Sequence, residues 1–151
     1  MIVKSIDHLN SIAIDIGKKL ITPSNILLFG EIGAGKTSFT RFLINFLQKK
    51  NKLKLTEVLS PTFNLLYEYE IKSYKAMHYD LYRLKSKEEI KQLGILNDNF
   101  ESLKIIEWPE LIKEDIKDRL EIYFSYGKKE NQRNLIFAGY GKFKNFKQNE
   151  I

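Results

Sequence analysis

The sequence contains no cysteine. That absence removes disulfides, Cys-ligated zinc, iron–sulfur clusters and thiol nucleophiles together, and it permits a reducing compartment. Histidine is nearly as scarce. His8 and His78 are the only two, and without cysteine they make a zinc site unattractive. No apolar run approaches the roughly 20 residues needed to cross a bilayer, so no membrane association is expected. The opening segment Met1 to Asp7 lacks the basic, apolar and small-residue regions of a secretory leader, so a cytoplasmic protein is expected. Proline occurs three times, and no Pro/Gly/Ser-rich linker or internal repeat divides the chain. One domain over residues 1–140 is expected, followed by a polar, basic and disordered tail at 141–151.

What is present suits such a domain. Of 151 residues, 43% are hydrophobic and 29% charged, enough for a core under an ordinary soluble surface. The net charge of +6 suggests an anionic partner, although a Lys-, Asn- and Ile-rich composition accounts for it equally well. Ile6, Leu9, Ile12, Ala13, Ile16 and Leu20 recur at helical spacing behind Ser5 as N-cap. Asn25 to Phe29 reads as a buried strand, and Phe39, Phe42, Leu43, Phe46 and Leu47 form one face of a helix from about Lys36 to Lys50. Strands are expected at Glu57–Leu59, at Leu65–Ile71 and Lys75–Tyr79 as a hairpin, at Leu103–Ile106, and at Leu120–Tyr126 with Leu135–Ala138 as an antiparallel pair. Ser86 and Glu89 have the spacing of a capping box, opening a short helix that ends near Gly94. The fold class is α/β, with a mixed central sheet flanked by helices.

Gly30-Glu31-Ile32-Gly33-Ala34-Gly35-Lys36-Thr37 fits the phosphate-loop pattern G-x-x-x-x-G-K-[ST] at every fixed position. Glycines let the backbone curl so that successive N–H groups face phosphate oxygens, and the following helix adds its N-terminal dipole. Lys36 brings a full positive charge to the outer phosphates, and the Thr37 hydroxyl is a hard ligand suited to Mg²⁺. A strand running into Gly30 and a helix running out of Lys36 are the context that separates this motif from a chance match. These features predict an ATP-binding, Mg²⁺-dependent P-loop NTPase fold with the nucleotide held by Glu31, Ile32, Gly33, Ala34, Gly35, Lys36, Thr37 and Ser38. No N-K-x-D follows the loop, since Asn51-Lys52-Leu53-Lys54 lacks the acid, and this favours ATP over GTP.

Such a site needs a carboxylate at the end of a neighbouring strand. Glu107 follows Leu103–Ile106 and Asp80 follows Ala76–Tyr79; one acid is expected to hold Mg²⁺ and the other to position water. With Lys36 they are the candidate catalytic residues. In Ser60-Pro61-Thr62-Phe63, Pro61 forces Ser60 into an extended conformation and leaves the Thr62 hydroxyl in a tight turn. That hydroxyl suits a γ-phosphate sensor, or else merely a strand-entry turn. Trp108, the lone tryptophan, reads as core by type and as a reporter of the site by its position after Glu107. His78 and Tyr79 read as packing or hydrogen-bonding residues.

Taken together, the strings Gly30–Thr37, Ser60–Phe63, His78-Tyr79-Asp80-Leu81-Tyr82-Arg83-Leu84 and Ile106-Glu107-Trp108-Pro109-Glu110 resemble the bacterial TsaE family of tRNA threonylcarbamoyladenosine biosynthesis proteins, also called the YjeE family. The likeness runs from about Leu27 to Ile112, with a looser match at Arg133 before Leu135-Ile136-Phe137. It implies an ATPase, slow by itself, that works with the partner proteins TsaB and TsaD. Together they attach a threonylcarbamoyl group to the adenosine beside the anticodon of ANN-decoding tRNAs. It further implies that Thr37 and Glu107 ligand Mg²⁺, that Asp80 is a second essential acid, that Ser60, Pro61, Thr62 and Phe63 form a switch with Trp108 beside it, and that Arg133 lies near the nucleotide. Glu31-Ile32 stands where the family often has Asp-Leu, and Ser38 where it often has Thr, both conservative changes.

Two other readings compete. A small-molecule kinase on the same loop would need an acceptor region and an Arg-bearing lid, and the short Gly94–Ser102 connection offers none. A nucleic-acid-binding module would draw on the positive charge and eight tyrosines, but the basic residues are scattered and no recognition signature accompanies them.

Overall fold

The computed structural model describes residues 1–97 and 101–146. Three residues of the Gly94–Ser102 connection and the last five of the tail lie outside the described residues.

β2 (Ser24–Phe29) is almost entirely buried, as an apolar run covered on both faces must be, and it forms the axis of the sheet. It pairs in parallel with β5 (Ser102–Glu107) on one side and β6 (Arg119–Tyr126) on the other. Beyond β5 come β4 (Tyr74–Asp80), parallel to it, and β3 (Leu66–Ile71), antiparallel to β4 through a tight hairpin. Beyond β6 come β7 (Arg133–Tyr140) and β1 (Ile2–Val3), both antiparallel to their neighbours. The order is β1-β7-β6-β2-β5-β4-β3, a mixed seven-stranded sheet.

Side-chain alternation along the strands divides the core into two layers. On one face, Ile26 and Leu28 of β2, with Leu103 and Ile105 of β5, pack against α1 (Ile6–Lys19) and α2 (Lys36–Lys50). Ser5 caps α1 by accepting from the His8 N–H, and α2 buries Phe39, Leu43, Ile44 and Leu47, each contributing about 1.5–3 kcal/mol. On the other face, Leu27, Phe29, Tyr79 and Ile106 pack under α3 (Lys87–Gln92) and the segment around Ile112 and Ile116. The capping box at Ser86 and Glu89 forms as the spacing predicts, and Gly94 closes the helix at φ +68°.

Three segments differ from the sequence expectations. Glu57–Leu59 is not a strand. Val58 is buried, but its carbonyl accepts from the Arg41 Nε at 3.2 Å, so a side chain takes the place of a ladder partner. β1 is too short to show a period, and it exists because β7 offers an edge for Ile2 and Val3. The expected disordered tail begins as a 3-10 turn at Gly141–Phe143, held where Phe143 and Phe146 pack against the core and Phe146 lies 6.2 Å from the Phe137 ring.

Candidate functional site

The carboxyl ends of β2, β4 and β5 lie side by side, so Gly30, Asp80 and Glu107 reach the same edge of the sheet; in open α/β sheets this is where ligands bind. β4 and β5 run in register there, with Asp80 paired to Glu107. Both residues are almost fully buried, at 3% exposure each.

The loop leaving β2 is shaped by close backbone approach. A Cβ at Gly30 would sit 2.3 Å from the Phe124 carbonyl of β6, and φ there is +132°, so only glycine fits. Gly35 precedes α2 at φ +112°, and no side chain caps the N-terminus of that helix. An uncapped helix start with no acid in its first turn is a ready place for an anion. The Lys36 ammonium curls back to donate to the carbonyls of Gly30 (2.5 Å) and Glu31 (2.9 Å), and it lies 4.2 Å from the centre of the Trp108 ring. Burial lowers its pKa from the usual 10.5, against the opposing pull of Glu107, Asp80 and Glu110.

Around this cation the acids are held by hydroxyls, a backbone N–H and a histidine ring. Glu107 Oε1 accepts from the Thr37 hydroxyl at 2.9 Å and is 2.9 Å from His78 Nε2. Asp80 Oδ2 accepts from the Thr62 hydroxyl at 2.9 Å, and Oδ1 accepts from the Tyr82 N–H at 3.0 Å. Ser60 extends that chain, its hydroxyl 2.8 Å from that of Thr62. The Thr62 turn is fixed by a bond from the Leu65 N–H to the Pro61 carbonyl, and Pro61 is buried while Phe63 stands 81% exposed. Between these groups lies a cavity of about 290 Å³, lined by Gly33, Lys36, Thr37, Ser38, Thr62, Asp80, Glu107 and Trp108 among others. Trp108 is half-buried at its rim rather than in the core, with φ +58° and its N–H donated to Leu28. For a bulky residue that backbone is strained by roughly 1–2 kcal/mol.

The loop is flanked on its other side by a second hollow, of about 440 Å³. It is bounded by Gly33–Gly35 and Ser38, the start of α1 with Ser5 and Leu9, and Arg133 with Asn131. Arg133 donates to the carbonyls of Glu130 and Gln132 at 2.8 Å, and its guanidinium stacks 4.5 Å from Tyr126, whose hydroxyl bonds the Ile32 carbonyl at 2.7 Å. Ala34 is buried, whereas Glu31 and Ile32 at the crest of the loop are exposed.

The fold therefore brings together Lys36, Thr37, Ser38, Ser60, Thr62, Asp80, Glu107 and Trp108, and sets Arg133 on the far side of the loop. The sequence reading missed Tyr82 at the cavity wall, Tyr126 beneath the loop crest and Ser5 at the second hollow. Tyr82 alone carried a signal, lying two residues after Asp80. Chemically, Thr37 and Glu107 present two hard oxygens with one negative charge between them. That donor set fits Mg²⁺, which binds through one or two protein oxygens and keeps places for phosphate and water.

Known proteins resemble this chain in sequence and in fold. The family model described as threonylcarbamoyl adenosine biosynthesis protein TsaE matches residues 3–135. The tRNA threonylcarbamoyladenosine biosynthesis protein TsaE of Rickettsia conorii is 50% identical over 91 residues, covering 58% of this chain and 48% of the relative. That of Aquifex aeolicus is 35% identical over 110 residues, covering 73% of this chain and 76% of the relative. The match thus spans about half the length of the Rickettsia relative. The crystal structure of Bacillus subtilis YdiB superposes with a TM-score of 0.69 at 22% identity, covering 96% of this chain and 87% of that one, a likeness of fold.

Proposed function

Because this chain belongs to the TsaE family of threonylcarbamoyl adenosine biosynthesis proteins, we propose that it is a Mg²⁺-dependent ATPase serving the threonylcarbamoyl modification of tRNA. The observation that carries the reading is the convergence of the phosphate loop with two buried acids around one cavity. Nucleotide phosphates enter between the α2 N-terminus and Lys36, which releases its loop carbonyls to take phosphate oxygens. Thr37 and Glu107 hold the metal, and when bound it supplies charge neutralisation on the phosphates. Asp80 positions the attacking water or the Thr62 hydroxyl that senses the γ-phosphate. The second hollow, with Ser5 and Arg133, receives the nucleoside end. Phe63, 81% exposed, directly follows Thr62, so a turn that senses phosphate through Thr62 would carry an apolar side chain at the surface with it.

That arrangement suits a timing element, whose nucleotide state alters its contacts with other proteins. The partners are TsaB and TsaD, and tRNA meets the ATPase through them. The modified position is the adenosine beside the anticodon of ANN-decoding tRNAs, and the site of action is the cytoplasm. No described helix is long and apolar enough to cross a membrane.

Reconstitution tests the reading. ATP turnover by the purified chain is measured alone, with TsaB and TsaD, and with tRNA added. Slow turnover alone, acceleration by the partners and modified tRNA only in the full mixture are expected. Turnover indifferent to the partners would remove the tRNA role, and fast phosphoryl transfer to a small acceptor would replace it with a kinase.

A further inference from the structure

His78 is fully buried on β4, and the functional reading above gives it no task. Its Nε2 lies 2.9 Å from Glu107 Oε1, on the same oxygen that accepts from Thr37. Its Nδ1 is buried with no hydrogen-bond partner among the described residues. Strand register explains the approach. His78 pairs with Ile105 and Asp80 with Glu107, so His78 lies two residues back along the same face and reaches diagonally to the glutamate. Its neighbours on that face, Ala76, Leu103 and Ile105, are core residues. An apolar side chain of similar size would fill this space without stranding a buried nitrogen. The polar return on placing a histidine here is the bond to Glu107.

We infer that His78 is a positioning residue that holds the Glu107 carboxylate in its metal-binding orientation; this rests on the assignment of Glu107 as a metal ligand. Because the facing Oε1 already serves as the acceptor for Thr37, the 2.9 Å contact assigns the proton to Nε2, which donates. With Thr37, His78 pins Oε1 from two directions and fixes the carboxylate plane, so that Oε2, engaged by neither bond, keeps one orientation at the cavity. The orphan Nδ1 is what remains when a ring is oriented by one bond alone. Groups that brace a ligating carboxylate matter nearly as much as the ligand, and their loss commonly costs about 10–100-fold in metal affinity. Phosphate contacts made by the loop do not pass through His78, so nucleotide binding without metal is untouched by it.

The experiment separates those two quantities in the full chain. ATP affinity is measured by calorimetry with EDTA and with Mg²⁺, for wild type, His78→Leu and His78→Gln, and folding of each is checked by circular dichroism. His78→Leu is expected to bind ATP as wild type does in EDTA and to lose about 10–100-fold of the gain conferred by Mg²⁺. His78→Gln, which offers an N–H near the Nε2 position, is expected to recover part of that gain. A folded His78→Leu protein with the full Mg²⁺-dependent gain overturns the role of His78 alone. If wild type shows no such gain and Lys36→Ala binds ATP normally, the nucleotide-site reading falls and takes this inference with it. A second measurement needs no change at His78. With only two histidines, a His8→Gln protein labelled with ¹⁵N in its imidazole reports His78 alone. A slowly exchanging Nε2–H that shifts further with Mg²⁺ and ATP than with ATP in EDTA supports the inference. An Nε2 that carries no proton, or that responds identically in both, overturns it even if the leucine variant fails to fold.

Discussion

Two clusters of buried charge occupy opposite faces of the same sheet, and they are built on opposite plans. On the face under α3, Arg119 donates from Nε to Glu121 Oε1 at 2.7 Å and from Nη1 to the Ile116 carbonyl at 2.8 Å, with Tyr140 stacked 3.9 Å from its guanidinium. The other oxygen of Glu121 accepts from the Tyr123 hydroxyl, whose pKa is raised by burial and by that carboxylate. Cation and anion satisfy each other, and the cluster is closed. On the face under α2, Lys36 donates to carbonyls, while Asp80 and Glu107 are held by hydroxyls, a backbone N–H and an imidazole. Opposite charges meet the same cavity without pairing. The first plan serves stability and leaves nothing over for a ligand; the second leaves charge unpaired at a cavity, which is what the proposed binding of phosphate and a cation requires.

The contrast can be broken most forcefully at Glu121. Glu121→Ala leaves the buried Arg119 charge only the exposed Glu114 carboxylate at 3.8 Å, and a loss of about 3–5 kcal/mol is expected in denaturant unfolding, with ATP affinity unchanged in the folded fraction. Replacing the pair together, as Arg119→Met with Glu121→Leu, should restore much of that stability, because a matched apolar pair carries no uncompensated charge. Lys36→Ala should do the reverse. It removes a buried cation that has no acid bonded to it, so stability should change by under about 1 kcal/mol, while ATP affinity by calorimetry should fall about 100-fold as charge-assisted phosphate contacts are lost.

Between these extremes lie the acids. Glu107→Ala and Asp80→Ala should each abolish measurable ATP hydrolysis while retaining more ATP affinity than Lys36→Ala, since in the proposed mechanism the loop supplies the ground-state contacts and the acids serve the transition state. A Glu107→Ala protein with wild-type turnover would exclude it from the mechanism. A smaller effect is expected with pH. Lys36 must be protonated to bind phosphate, and burial lowers its pKa from 10.5. Affinity for ATP should therefore be full at neutral pH and decline as the solution becomes alkaline, beginning before an ordinary lysine would titrate. Lys36→Arg should remove that decline even if it binds more weakly, because guanidinium stays charged. Smallest of all, Phe63→Ala should leave thermal stability within about 0.5 kcal/mol of wild type, the ring being exposed, while weakening acceleration by TsaB and TsaD if the turn carries the nucleotide signal.

The sequence by itself determined everything that is local. The phosphate loop could be read because its glycines and lysine answer to one backbone path. β2, α2 and the Ser86–Glu89 cap could be read because burial on two faces, on one stripe, and at a helix start leave different spacings. Asp80 and Glu107 were visible as acids ending apolar runs, but the groups that hold each of them were not, and neither was the place of Trp108 at a rim. Those depend on contacts between residues far apart in the chain: Thr62 with Asp80 across 18 positions, His78 with Glu107 across 29, Thr37 with Glu107 across 70. The two contacts to Glu107 exist only because β5 lies between β2 and β4, an order that no periodicity encodes. Tertiary structure likewise made a strand of Ile2–Val3, denied one to Glu57–Leu59 and docked Phe146, because edges, side-chain acceptors and open core surface are properties of the assembled sheet.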